Sequence, residues 1–429
     1  MEFENLNGVP PSGRRRRAGR RSRGLRSLGI ASTAFALVAA GVACGSEAPP
    51  PEGPMPTGTP IKVMAQQPVN TNLPAYPAGL EVAEIYAQWI NAKGGIKGHP
   101  LEVITCDDRG DPNEAANCAR TAVAEGVTAV VGPFSWDAGR AIGILEEAKI
   151  PWFGVCCPVV EQEFTSPVSY VTGSLFSFPA AEAWKAAQDG CTAPAAIQMD
   201  IAVKDLFFQQ MRNGFAAAGF DPARAKYISL PPEPQDYSAQ VAQATDGTDC
   251  IIGSMSEDNW AAFLPAFRAA GGTQRFYGPQ GQLNAKIAEQ FPDVTENAVV
   301  VNAYPNIEGP MWEDYRGALE AYDASDDLDW NSLVSLGTWG AMTAFTQIAE
   351  QLDGFSGAEF SAALDRTTSL ETGGKMPPID FTTTYDGLDG KYPRIFNRTV
   401  TFDVIRDGRP VPLDGRFHDM SKVMEGAPR

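Results

Sequence analysis

Between residues 61 and 302, short unbroken apolar runs alternate with amphipathic stretches, most clearly over residues 90–135. Residues 101–106 and 127–131 are continuous, β-branched runs, the pattern of strands covered on both faces of a parallel sheet. Between them Asp111 and Pro112 open a helix that Gly126 stops. Such a strand, helix, strand unit closes right-handed. Its second strand runs into Gly132-Pro133-Phe134-Ser135-Trp136, a turn at the carboxyl end of a strand, where open α/β sheets hold ligands. Upstream, residues 61–65 read as a strand, and residues 79–92 as a helix with Leu80, Ala83, Ile85, Tyr86 and Trp89 on one face.

The alternation continues with a strand over 151–155, the Cys156-Cys157-Pro158 turn, and a short strand over 169–172. It restarts at residue 195, with strands over 195–199, 225–230, 250–254, 275–278 and 298–302 separated by amphipathic helices. Two such series in 429 residues predict two α/β domains. Residues 312–365 are mainly helical, and Trp339, Met342, Phe345, Ile348 and Leu352 form a core stripe at helical spacing. Residues 399–405 alternate apolar and polar before the Asp407-Gly408 turn.

Charge changes the picture at one end. The chain carries −18 overall, but residues 1–43 hold eight arginines and two glutamates, so the remainder carries −24. A body that acidic repels phosphate backbones, which argues against nucleic-acid partners. Arginines 14–17, 20, 21, 23 and 26 precede an apolar run over 28–43, shorter than a membrane span. Residues 1–43 therefore read as a signal peptide. The run ends at Gly41-Val42-Ala43-Cys44, similar to a bacterial lipobox, in which Cys44 is lipidated; the alternative is ordinary cleavage near Ala43. Arg20-Arg21 offers a weaker twin-arginine reading. Proline- and glycine-rich residues 44–60 then form a linker from the lipid anchor.

Six further cysteines suit an exported chain. Cys106 ends a strand and Cys118 sits on the next helix; Cys191 and Cys250 each precede a strand, and both pairs are disulfide candidates. Cys156-Cys157 is open to three readings: reduced thiols, a vicinal disulfide, or a catalytic thiol. The last would make the chain a cysteine-dependent hydrolase, and a base is wanting. His99 and His418 are the only histidines, both placed in turns or tail, and no HExxH, GxSxG or P-loop pattern occurs. The chain is therefore read as a non-enzyme without cofactor or metal.

The segments INAKGGIKG, CDDRGDP, AVVGPFS and RFYGPQGQLNA, in that order, resemble the leucine/isoleucine/valine-binding protein family, the type I Venus-flytrap solute-binding proteins of ABC importers. The resemblance implies two doubly wound parallel-sheet lobes joined by three crossovers, with a water-filled ligand cleft between the turns at Gly132, Cys156, Ser254 and Gly278. The crossovers would fall near residues 173–179, 302–310 and 376–384. Lobe 1 would comprise 61–175 with 305–376, lobe 2 176–304 with 377–415, and 416–429 a C-terminal tail. It further implies a small organic ligand, delivery to a membrane permease, and a monomer. A tethered sensor of the same fold is the alternative role.

The family's binding positions fall here at Tyr76, at Phe134, Ser135 and Trp136, at Cys156 and Cys157 in place of the usual small and hydroxyl residues, at Met255 and Ser256 in place of a tyrosine, and at Gln280. Ser135 or Trp136 would hold the carboxylate contact. Gln280 stands where the family places the glutamate that pairs with a ligand ammonium. A neutral amide cannot supply that charge. The resemblance with this change implies a ligand lacking a free α-ammonium, unless Glu257 or Asp258 takes over that role.

Overall fold

The computed structural model describes residues 53–429 apart from 202 and 234; the expected signal peptide, the lipidation at Cys44 and the start of the linker lie outside them. The first half runs β1 Ile61–Gln67, α1 Pro77–Ala92, β2 Leu101–Asp107, α2 Pro112–Glu125, β3 Val130–Val131, α3 Gly139–Ala148, β4 Trp152–Val155, α4 Glu161–Thr165 and β5 Ser169–Val171. It continues α5 Phe178–Gln188, β6 Pro194–Met199, α6 Lys204–Ala217, β7 Lys226–Leu230, α7 Ser238–Thr245, β8 Cys250–Ser254, α8 Glu257–Ala269, β9 Arg275–Pro279, α9 Ala285–Gln290, α10 Pro292–Thr295 and β10 Val299–Asn302. Helices α11 Glu313–Ala321, α12 Leu333–Ala349 and α13 Gly357–Leu364 precede β11 Thr399–Arg406, β12 Arg409–Pro412, β13 His418–Asp419 and α14 Ser421–Met424.

The first five strands form one parallel sheet, in the order β2-β1-β3-β4-β5. The second sheet has the order β12-β11-β10-β9-β8-β6-β7, with β13 added to β11. Its strands β6 to β10 are parallel, and β11 joins β10 antiparallel before the Asp407-Gly408 turn returns the chain as β12. Both residues of that turn have positive φ, 49° and 75°, as a two-residue hairpin of this hand requires.

Local chemistry explains the units. The Asp111 carboxylate caps α2 by accepting from the N–H groups of Asn113 and Glu114, and Gly126 ends it with φ 66°. The sulfurs of Cys106 and Cys118 lie at bonding distance and fasten β2 to α2; those of Cys191 and Cys250 do the same at the entries of the neighbouring strands β6 and β8. Helix α12 carries the expected stripe, fully buried at Trp339, Met342, Phe345 and Ile348, and it packs on α1, β3 and β4.

Several expectations are corrected. Strand β2 is the sheet edge and only Leu101 of its seven residues is buried, so it is not covered on both faces. Linker residues 53–59 do not run free: the N–H of Gly53 donates to Ala92 O, those of Thr57 and Gly58 to Gly98 O, and Thr59 O lies 2.8 Å from Nδ1 of His99. The third crossover comes later than residues 376–384. Ile379 pairs with Leu370, the N–H of Phe396 donates to Val171 O, and Nε of Arg394 donates to Ser169 O. Residues 377–396 thus cover the otherwise open β5 edge, where Phe396 stacks on Tyr170 and Phe381 meets it edge-on. The supposed tail is structural, since β13 pairs with β11 and Val423 and Met424 of α14 are buried against α5 and α6. Strand β11 does not alternate: Thr401 and Asp403 are buried as well.

Candidate functional site

The turns that leave the carboxyl ends of β1, β3 and β4, and those that leave β8 and β9, carry the sequence-derived candidates. In the first group three aromatic rings come together. Tyr76, the residue before α1, meets Phe134 with ring centroids 4.9 Å apart; Phe134 meets Trp136 at 4.9 Å, and Tyr76 lies 6.5 Å from Trp136. The N–H of Phe134 donates to Gln66 O, fixing this turn to β1. The Trp136 indole donates to Pro74 O at 3.0 Å, so this ring props the 68–76 loop that carries Tyr76. Asp107 holds the other end of the loop, accepting from the N–H of Val69 at 2.8 Å and of Asn70 at 3.1 Å. Burial raises the Asp107 carboxyl, but these bonds outweigh it and hold it below the usual range.

Ser135 is 1% exposed, and its hydroxyl has no hydrogen-bond partner among the described residues. The Cys156 and Cys157 sulfurs lie at bonding distance, in accord with the vicinal-disulfide reading. Their turn is tightly enclosed. A Cβ on Gly173 would sit 2.2 Å from Cys156 O, and one on Gly337 would sit 2.7 Å from Cys156 Cβ. Thr338, the next residue of α12, donates to Gly132 O at 3.2 Å.

The second group departs from expectation. Met255 is fully buried in the core formed with Leu230, Trp260 and Phe276, because the pleat at the end of β8 turns it away from the cleft. The Ser256 hydroxyl caps α8, accepting from the N–H of Asn259 at 3.2 Å. Gln280 is buried, and its amide is spent on the second crossover: Oε1 accepts from the N–H groups of Ala303 and Tyr304 at 3.0 and 3.1 Å, and Nε2 donates to Tyr304 O at 3.1 Å. Gln280 thus clamps the second crossover.

One group had no sequence signal. Asp329 is exposed, and the charges of Glu257 and Lys286 act on its carboxyl. Desolvation raises its carboxyl, Glu257 adds to this, and Lys286 opposes it. Desolvation likewise pushes the Tyr76 phenol up to about 12, with Asp329 contributing. Glu257, the alternative ammonium partner, is already bonded to Asn284 Nδ2 at 2.6 Å and ion-paired with Lys286.

The expected water-filled cleft is closed. Ser135, Cys156, Ser254 and Gln280 are all buried, and a Cβ on Gly281 would meet the Leu333 N–H nitrogen at 3.4 Å. Open hollows of about 540 and 470 Å³ lie elsewhere, beside Trp330 and between α1 and Tyr322.

Residues 73–390 match the family described as periplasmic binding protein. The chain belongs to the periplasmic binding protein family. The Leu/Ile/Val-binding protein of Escherichia coli K12 is 24% identical over 261 residues, covering 58% of this chain and 69% of the relative. Among solved structures, a possible leucine/isoleucine/valine-binding protein from Rhodopirellula baltica superposes with a TM-score of 0.68 at 16% identity, covering 85% of this chain and 98% of the other. A fatty acid ABC transporter substrate-binding protein from Thermomonospora curvata gives 0.66 at 15% identity, covering 87% and 96%. The two-sheet architecture is thus the type I fold of periplasmic binding proteins.

In this family member neither histidine stands beside the Cys156 turn. Nδ1 of His99 faces Thr59 O, and His418 pairs with Asp414.

Proposed function

We propose that this periplasmic binding protein is an exported, lipid-anchored receptor that closes its two lobes over a small organic ligand and delivers it to the permease of an ABC importer. The observation that carries the reading is the convergence of the Gly132, Cys156 and Gln280 turns on the N-terminal half of α12 and the second crossover. Two sheets whose carboxyl ends face each other across backbone crossovers form a hinge, and a ligand between them shifts the open and closed populations. Tyr76, Phe134 and Trp136 supply an apolar wall, and the unpartnered Ser135 hydroxyl supplies a donor. The ligand is amino-acid-like, a carboxylate or an amide; the names of the relatives, which include leucine-type and fatty-acid binders, fit a small molecule with an apolar portion.

The test is a thermal-shift screen over amino acids, carboxylates, amides and polyamines, with X-ray scattering of the protein with and without each hit. A ligand at 100 times its dissociation constant adds about 2.7 kcal/mol to stability. The reading fails if no compound shifts the midpoint and the radius of gyration never changes.

A further inference from the structure

Tyr304 lies two residues beyond β10, in the second crossover, and no motif of the sequence singles it out. Its side chain is fully buried, and its hydroxyl has no hydrogen-bond partner among the described residues. Buried tyrosines normally bring their hydroxyl to a partner, so an orphan one calls for an explanation. Gly337 locates the oxygen. A Cβ built on that glycine would be 2.9 Å from Tyr304 Oη and 2.7 Å from Cys156 Cβ. The hydroxyl therefore ends where the crossover, α12 and the turn after β4 come together, between the two sheets. Its backbone is held on both sides by the Gln280 amide.

The surroundings also state what could meet it. Burial alone raises this phenol, with no charged side chain contributing. A charged ligand group at that spot would be stripped of water with no opposite charge to replace it. A hydroxyl can both donate and accept, so a neutral carbonyl, amide or hydroxyl satisfies it.

We propose that the Tyr304 hydroxyl is a specificity-determining contact of the cleft, and that the ligand presents an uncharged hydrogen-bonding group to it. The proposal rests on the solute-binding reading and deepens it. When the lobes open, the hydroxyl is freed from beside Cys156 and Gly337; when they close on ligand, it is satisfied.

The test uses the mature chain and its Tyr304→Phe variant, with isovaleramide, isovalerate and leucine as probes. The three share a branched apolar tail and differ in the head group. Thermal-shift titrations should show isovaleramide bound more tightly than isovalerate, and Tyr304→Phe should weaken isovaleramide about tenfold, the worth of one hydrogen bond. The ligand-free variant should unfold at the same temperature as the parent or higher, because it loses an unmade bond. A lower ligand-free midpoint assigns the hydroxyl a structural partner and overturns the proposal. So does tighter binding of isovalerate, equal binding of isovaleramide by both proteins, or failure of isovaleramide to bind. Leucine bound equally by both proteins overturns the proposal while leaving the solute-binding reading intact; that reading fails only in the broad screen.

Discussion

Glu163 should make the protein lose stability as pH rises through neutrality. Its carboxylate is fully buried on α4, where Oε2 accepts from the N–H groups of Val159 and Val160 at 2.7 and 3.1 Å and Oε1 accepts from the Trp152 indole at 3.2 Å. It thereby ties the segment just beyond Cys156-Cys157-Pro158 to β4. Burial exceeds the effect of these bonds and pushes the carboxyl from an ordinary 4.5 up to about 7. A carboxyl raised in the folded state binds more protons folded than unfolded. Its contribution is therefore complete below pH 4.5, declines as pH rises, and is lost above about 7. At about 1.4 kcal/mol per pH unit, the portion between pH 5.5 and 7 is about 2 kcal/mol. Working below 5.5 would bring the chain toward its isoelectric point of 4.6. The assay is urea unfolding of the parent and Glu163→Gln across pH 5.5 to 8, read by tryptophan fluorescence. The glutamine variant loses about 1 kcal/mol at the acid end, since its NH₂ must face a donor, but it has no charge to titrate. The raised carboxyls of Asp403 and Glu182 have the same sign in both proteins and cancel in the difference. A parent-minus-variant difference that stays flat with pH would refute the argument.

Three further outcomes are expected. Cys44→Ala should move the protein from the membrane fraction to the soluble fraction, and unchanged fractionation removes the lipid anchor from the account. Gly337→Ala forces a methyl to within 2.7 Å of Cys156 Cβ, so it should cost about 1 to 3 kcal/mol in denaturant unfolding and enlarge the scattering radius of the ligand-bound form; full stability with unchanged closure contradicts the packing. Trp136→Phe keeps the aromatic stack but deletes the bond to Pro74, and should lose about 1 kcal/mol together with hydrogen-exchange protection in residues 68–76, where unchanged protection would show that the indole does not prop the loop.

The repeating strand and helix units were legible because period and punctuation are local: Asp111 and Gly126 bracket α2, and the stripe from Trp339 to Ile348 marks α12. Sheet order is not local. Residues 101–106 look like any buried parallel strand, and only their position outside β1 exposes them. Residues 377–396 carry no period at all, and their place is set by the open β5 edge, which Ile379, Phe381, Ile395 and Phe396 fill.

The site divides along the same line. Tyr76, Phe134 and Trp136 could be found because each immediately follows a recognisable strand or precedes a recognisable helix, and the turn chemistry delivers them together. Gln280 is legible as a position, but its hydrogen bonds are not, since its partners lie more than twenty residues away in the crossover. That matters for the ligand. Gln280 bonds backbone, and as a neutral amide it brings no charge to a ligand. The groups that do bear on it are Asp329 at the accessible side of the Tyr76 cluster, where desolvation and Glu257 both disfavour its ionised form, and Tyr304 at the sealed side, where no charge acts. A ligand cation near Asp329 would relieve its strain and could sit in water-accessible space; the same cation beside Tyr304 would have neither. Asp329 and Tyr304 thus sit in chemically different surroundings, the first acted on by Glu257 and Lys286 and the second by burial alone.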